Sequence, residues 1–131
     1  MASVLTNAGR AILTNRIKAG GTEPLQIGWG TGAGTAAAAD TTLFAEKDVD
    51  LTTTTGTRTT GSSAQATTTV TNDTYRVTGT RTATGAGTVT NAGLWDNATI
   101  GSGNLFVKGD FTGIVLASGD AIAFTVDLQF T

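Results

Sequence analysis

The sequence contains no cysteine and no histidine. Without them there is no disulfide, no Ser–His or Cys–His nucleophile and no ordinary zinc site. Charge is scarce as well. Charged residues make up 14% of the chain, against roughly 25% in an average soluble domain. The net charge is −2 and the lysines and arginines are scattered. With no basic patch to neutralise phosphates, nucleic acid is not an expected partner. No apolar run is long enough to span a bilayer, so no membrane partner is expected. The opening residues, Met1-Ala2-Ser3-Val4-Leu5-Thr6-Asn7, turn polar at once instead of running into the apolar core of a signal peptide, which suggests cytoplasmic synthesis. A surface so poor in charge is neutral and adhesive, and its expected remedy is cover by other subunits.

Threonine and glycine are abundant in their place, at 29 and 18 of 131 residues. Threonine suits a pleated surface because of its branched Cβ, and glycine supplies turns that need positive φ. The C-terminal stretch states the pattern most clearly. Ile122, Phe124, Val126, Leu128 and Phe130 alternate with Ala123, Thr125, Asp127 and Gln129. A two-residue period belongs to a strand with one buried face, and this strand is expected in the core. Further strands are expected over Leu25–Trp29, Thr74–Thr82, Thr88–Trp95 (with Gly93 a candidate bulge), Leu105–Phe111 and Gly113–Leu116. The implied fold is all-β, an antiparallel sandwich or jelly roll.

Two regions depart from the pattern. Thr6 can cap a helix running to Lys18 and ended by Ala19-Gly20-Gly21, with Arg16 and Lys18 suited to the helix dipole in its last turn. Residues 1–21 therefore form an N-terminal helical segment and residues 22–131 one β-domain. Within the latter, the region from about 52 to 71 is mostly threonine. After Val49 its stretch has only Leu51 and Val70 as large apolar residues, so it reads as weakly specified strands or as an arm ordered by a neighbour.

Few residues could carry chemistry. Asp48 and Asp50 share a strand face and could hold Ca²⁺ or act as an acid/base pair, but a solvated strand edge explains them better. Asp110 and Asp120 read as turn formers. The run Gly28-Trp29-Gly30-Thr31-Gly32-Ala33-Gly34 lacks the long helix and the lysine of a phosphate loop, and reads as structural. Trp29 and Trp95 could stack on sugars, though isolated tryptophans more often anchor cores or interfaces. No cofactor is expected.

The order of three segments is similar to that in a known group. These are Ile27–Gly32 followed by Asp40–Glu46, then Thr88–Asp96, then Leu105–Phe111 with Gly119-Asp120 and the last strand. Together they resemble small virion structural proteins of tailed bacteriophages, above all the capsid decoration or cement type. The resemblance spans roughly residues 28–131 with a gap in the Thr-rich region. It implies a non-enzymatic β-domain, a homotrimer on the capsid surface, and the major capsid protein or other virion proteins as partners. Phage tail-fibre and collar domains carry a hairpin similar to that around Ala92-Gly93-Leu94-Trp95-Asp96, so a tail, fibre or baseplate component is the alternative. A carbohydrate-binding module or glycosidase using a tryptophan and the carboxylates is a third. The expected interface residues are Leu5, Ile12, Leu13 and Ile17 on the helix, with Trp29 and Trp95.

Deleting Leu128–Thr131 is expected to leave the protein insoluble or unassembled. It removes two large apolar side chains, each contributing up to about 1.5–3 kcal/mol when fully buried. A truncated protein with wild-type solubility and melting would show that this strand is dispensable.

Overall fold

A computed structural model describes residues 4–19 and 22–131. Helix α1 spans Asn7–Ala19, and the strands that follow are β1 (Gln26–Gly30), β2 (Glu46–Lys47), β3 (Thr59–Thr60), β4 (Ser62–Ala66), β5 (Thr74–Thr82), β6 (Gly87–Trp95), β7 (Leu105–Leu116) and β8 (Ala121–Gln129). Thr6 caps the helix as expected, its Oγ1 accepting from Gly9 N–H at 3.1 Å. The glycine pair expected to end it lies outside the described residues.

The strands form two antiparallel sheets. In the larger, β1, β6 and β7 lie side by side, and the short β2 and β3 share the other edge of β1. The smaller has the order β4-β5-β8. Only Gly61 separates β3 in one sheet from β4 in the other, so the chain folds over at that side and the sheets face each other. The fold is thus the all-β, sandwich-like arrangement expected from the alternation. Ile27, Tyr75, Val77 and Leu94 form one buried cluster, and Trp29, Leu51, Ala83, Val89, Ala92 and Leu116 another. The outer face of the larger sheet is covered by the loop leading into β2, where Leu43 is buried.

The C-terminal strand departs from expectation. β8 pairs only with β5, so it is an edge strand. Its apolar side chains lie opposite Tyr75, Val77, Gly79 and Arg81 and therefore point inward, yet Ile122, Phe124, Val126 and Leu128 stay half-buried. The dense core lies in β1, β5 and β6 instead. Gly93 is not a bulge either. It stays in register with Gly28 and Lys108, and a side chain there would collide with the Val107 carbonyl and Leu43. The expected division between Leu105–Phe111 and Gly113–Leu116 is also absent, since both belong to β7.

The Thr-rich region is built into the domain by a cation. Arg58 has a fully buried side chain. Its Nε and Nη2 donate to the two Glu46 carboxylate oxygens at 2.7 and 2.9 Å, and Nη1 donates to the carbonyls of Asn97, Thr99 and Ser102 at 2.8–2.9 Å. The guanidinium stacks over Trp95 at 3.7 Å from the ring centroid. All three guanidinium nitrogens donate and the charge is paired, which is what makes a buried arginine tolerable. Arg81 repeats the theme over Trp29, with Nη2 to Asp48 at 3.2 Å and Nη1 to Thr57 O and Thr59 Oγ1. Arg58 reaches out of the segment that has little apolar surface of its own, and Arg81 reaches into it.

Replacing Arg58 by alanine leaves Glu46 and three carbonyls without their partner. Removing one member of a buried pair costs roughly 3–5 kcal/mol, so the denaturant midpoint of Arg58→Ala should fall steeply. An Arg58→Met, Glu46→Met double variant should lose less than Arg58→Ala, because no orphaned charge remains. A wild-type midpoint for Arg58→Ala would exclude this role.

Candidate assembly surface

The sheets close on one side and stay open on the other. At the β3–β4 side the chain passes directly between them. At the opposite side β7 and β8 are edges of different sheets, and among the described residues neither has a second partner strand. Residues opposite each other in an antiparallel pair point to the same face. Val89 is fully buried and faces the other sheet, so its partner Ile114 faces the same way, yet Ile114 is 41% exposed. Val107 opposite buried Leu94 is likewise only half-buried. The inward-facing residues of β8 complete the seam from the other side. A cleft of about 270 Å³ lies there, lined by Val107, Phe111, Phe124 and Val126 among others. A neighbouring cleft of about 370 Å³ runs from Phe106 and Leu128 to the loop at Ala36–Ala38.

The aromatic side chains at this seam are placed by irregularities in β7. Val89 pairs with Ile114 but Asn91 with Asp110, and Leu94 pairs with Val107 but Trp95 with Leu105. In both places the surplus residues are on β7. In the first, Phe111-Thr112-Gly113 stand against Thr90 alone, two residues in excess, and in the second Phe106 is the one extra. Bulges bend an edge strand and re-aim its side chains. Here they present Phe106 and Phe111, both more than a third exposed, while Val115 beyond them is 79% exposed.

The opposite face of β7 is held rigid by the glycine run. Extended residues two apart point the same way, so Gly30, Gly32 and Gly34 form a flat track, and Phe44 lies against all three. Asn91, fully buried, accepts from Phe44 N–H and donates to Phe44 O, both at 3.0 Å. Lys108 Nζ sits 3.1 Å from the Phe44 ring centroid and donates to Asp40 Oδ2 at 2.8 Å. The run thus has the structural role expected of it.

Helix α1 lies across one end of the sandwich. Its inward face is polar. Thr14, fully buried, donates to Asn72 O at 2.9 Å and accepts from Gln65 Nε2 at 2.7 Å, and Arg10 Nε donates to Phe130 O at 2.7 Å. Ile17 alone of the expected helix residues packs against a core cluster. Ile12 is 60% exposed, and Leu5 and Leu13 are also exposed. Leu5, Ile12 and Leu13 are therefore left exposed on the outside of the domain.

The structure does not bring the two tryptophans to that surface. Trp29 and Trp95 are both buried, one ring under each arginine, so neither is available as an external anchor or a sugar platform. Asp48 accepts from Arg81, and Asp50 accepts from the Thr52 and Thr53 N–H groups, which hold its pKa down at about 2. Among the described residues no three acidic side chains converge as a metal site would require. No helix of the described residues is long and apolar enough to cross a membrane. No known protein family, curated protein or solved structure matches the chain. Sequence reading missed Phe106, Phe111 and Ile114, because their role comes from the absence of a strand beside β7, which no local pattern records.

The end carrying α1 is fastened by Asp73. Its carboxylate accepts from the N–H groups of Thr68, Thr69 and Val70, from Thr74 Oγ1 and from Gln129 Nε2, all at 2.8–3.1 Å. Asp73 O also accepts from Phe130 N–H at 2.9 Å. Burial pushes the Asp73 pKa up, but the hydrogen bonds from Thr68, Gln129, Val70 and Thr74 outweigh it and hold the group far below the ordinary carboxylate range. A folded pKa below the unfolded value, about 3.9, gives stability that is present above that value and lost as pH falls toward the folded one. Melting temperature is expected to be flat from about pH 5 to 8 and to fall below about pH 4. The fall should be smaller in Asp73→Asn, which is already destabilised at neutral pH. An equal acid response in both proteins would remove Asp73 from this role.

Proposed function

We propose that this chain is a non-enzymatic virion structural protein of the capsid decoration or cement type. In this reading it sits on the capsid surface and stabilises a phage head as a homotrimer against the major capsid protein or other virion proteins. The observation that carries the reading is the open side of the sandwich. Two long edge strands leave inward-facing apolar residues uncovered, and a chain this poor in charge has little else to keep such a surface from associating. The segments that resemble phage proteins contribute β1 with its glycine track, the Phe44 loop, β6, β7 and β8, which are the elements that build and brace that side. Contact area repeated over several copies would supply the binding energy through avidity.

The test is to add purified protein to phage heads lacking it and to locate it by electron microscopy while recording the temperature of genome release. Density on the head surface with a raised release temperature is the expected result. Density confined to the tail, fibres or baseplate would transfer the protein to that part of the particle. Binding to no part of the particle would overturn the proposal.

A further inference from the structure

The two edges that border the seam differ. β7 is interrupted at Phe106 and again at Phe111-Thr112-Gly113. β8 is not. Its register with β5 runs unbroken from Thr74–Gln129 to Thr82–Ala121. Edge strands usually avoid further pairing through lysine, proline, bulges or unpaired charge. Ala121–Gln129 contains no lysine, proline or glycine, and its single charge, Asp127, is held by Arg76 at 2.6–2.7 Å.

The backbone of β8 also has a defined polarity. Phe130 N–H donates to Asp73 O, and Asp120 O accepts from Ala83 N–H, so both residues turn their backbone groups toward β5. In an antiparallel pair the groups alternate in direction from residue to residue. Phe124, Val126 and Leu128 therefore bond to β5, while Ala121, Ala123, Thr125, Asp127 and Gln129 direct N–H and C=O to the open side. Among the described residues no strand receives them.

The layer above lacks a strand at the same place. Ile122 and Phe124 of β8 pack against the cluster that contains Val89 and Ala92 of β6. β8 thus lies beneath β6, and β7, the next strand along, has nothing beneath it. Gly109 pairs with Ala92 and so faces inward, yet a Cβ placed there would meet no atom within 4 Å. A strand added to β8 would lie under β7 and cover Val107, Gly109 and Ile114. A second copy joined through its own β8 does not fit, because its β6 would need the space that β7 occupies. Nor does this sequence hold a spare strand. Outside the two sheets no run of alternating apolar residues is as long as this edge.

We infer that the β7–β8 seam is a strand-acceptor site, and that its occupant is an extended segment of a different polypeptide with apolar residues at alternate positions. The segment pairs with the free edge of β8 and turns those residues up toward β7, where the space over Gly109 takes a large side chain. Backbone bonds then give affinity and the apolar cleft selects the pattern. The inference stands on the edge and the gap, and goes beyond the virion reading by naming what a partner must present.

The experiment uses the purified full chain. Its probe is a nine-residue peptide, the length of β8, of alternating threonine and valine closed by a lysine at each end. The peptide should bind saturably, and amide exchange at Ala123, Thr125 and Asp127 should slow on binding, while Phe124 and Val126 are already protected in the free protein. Thr125→Pro removes a donor that faces the open side and leaves the β5 ladder intact. Gly109→Phe fills the space the segment needs. Each should weaken binding at least tenfold and still melt cooperatively, whereas Val126→Pro should destabilise the domain itself. A wild-type protein that binds no peptide at millimolar concentration overturns the inference. So does a Thr125→Pro protein that binds as wild type, or equal binding of a peptide of the same composition with its valines adjacent. The chain has no native cysteine, so a Thr125→Cys protein that cross-links to itself on oxidation would give the edge to a second copy and also overturn it. Peptide binding by a protein that attaches to no phage head would support this site and remove the virion role.

Discussion

The Arg58 guanidinium is the constraint on which the rest of the structure depends. It is the point where the Thr-rich segment, β2, the loop after β6 and the Trp95 ring meet. A segment of threonines cannot offset its ordering cost, roughly 1–2 kcal/mol per residue, by apolar burial. One cation that satisfies a carboxylate and three carbonyls at once gives that segment fixed points. Once Thr57–Thr60 are held, β3 can lie beside β1, and β4 follows after a single glycine into the other sheet. The closed side of the sandwich is thus set by an ion pair, and the open side follows because no comparable device joins β7 to β8.

This division explains why the molecule is well packed on one side and leaves apolar side chains exposed on the other. Tyr75, Val77, Ile27 and Leu94 exclude water completely between β1, β5 and β6. Toward β7 and β8 the same inward-facing pattern continues, but each sheet ends before it meets cover. The Phe44 clamp stiffens the outer face of β7 so that the exposed side does not simply collapse. A rigid uncovered surface loses less entropy on association than a mobile one.

The sequence made the strands legible because alternation is a local property. Thr74–Thr82 was recognisable to the residue, and the cap at Thr6 and the structural nature of the glycine run were recognisable from chemistry alone. Which strands lie at an edge depends on long-range pairing. That is why β8, with the most regular apolar face, was expected in the core and stands at its border. The tryptophans misled for a related reason, since an exposed anchor and a ring covered by a distant arginine have the same local sequence. Arg58 and Arg81 carry no local signal among the threonines, because the groups they bind and stack on are distant in sequence. The helix residues Leu5, Ile12, Leu13 and Ile17 are expected together as a contact surface because the β-domain has apolar residues enough of its own, and the fold divides them, Ile17 packing inward and the other three staying exposed.

The interruptions in β7 bear on whether growth can stop. Backbone ladders are indifferent to side-chain identity and extend for as long as strands are supplied, which is how fibrils become unbounded. A surface broken by bulges offers no such template, and contact through shaped side-chain clefts is saturable. The interruptions at Phe106 and Phe111-Thr112-Gly113 therefore deny the β7 edge a continuous template for a further strand.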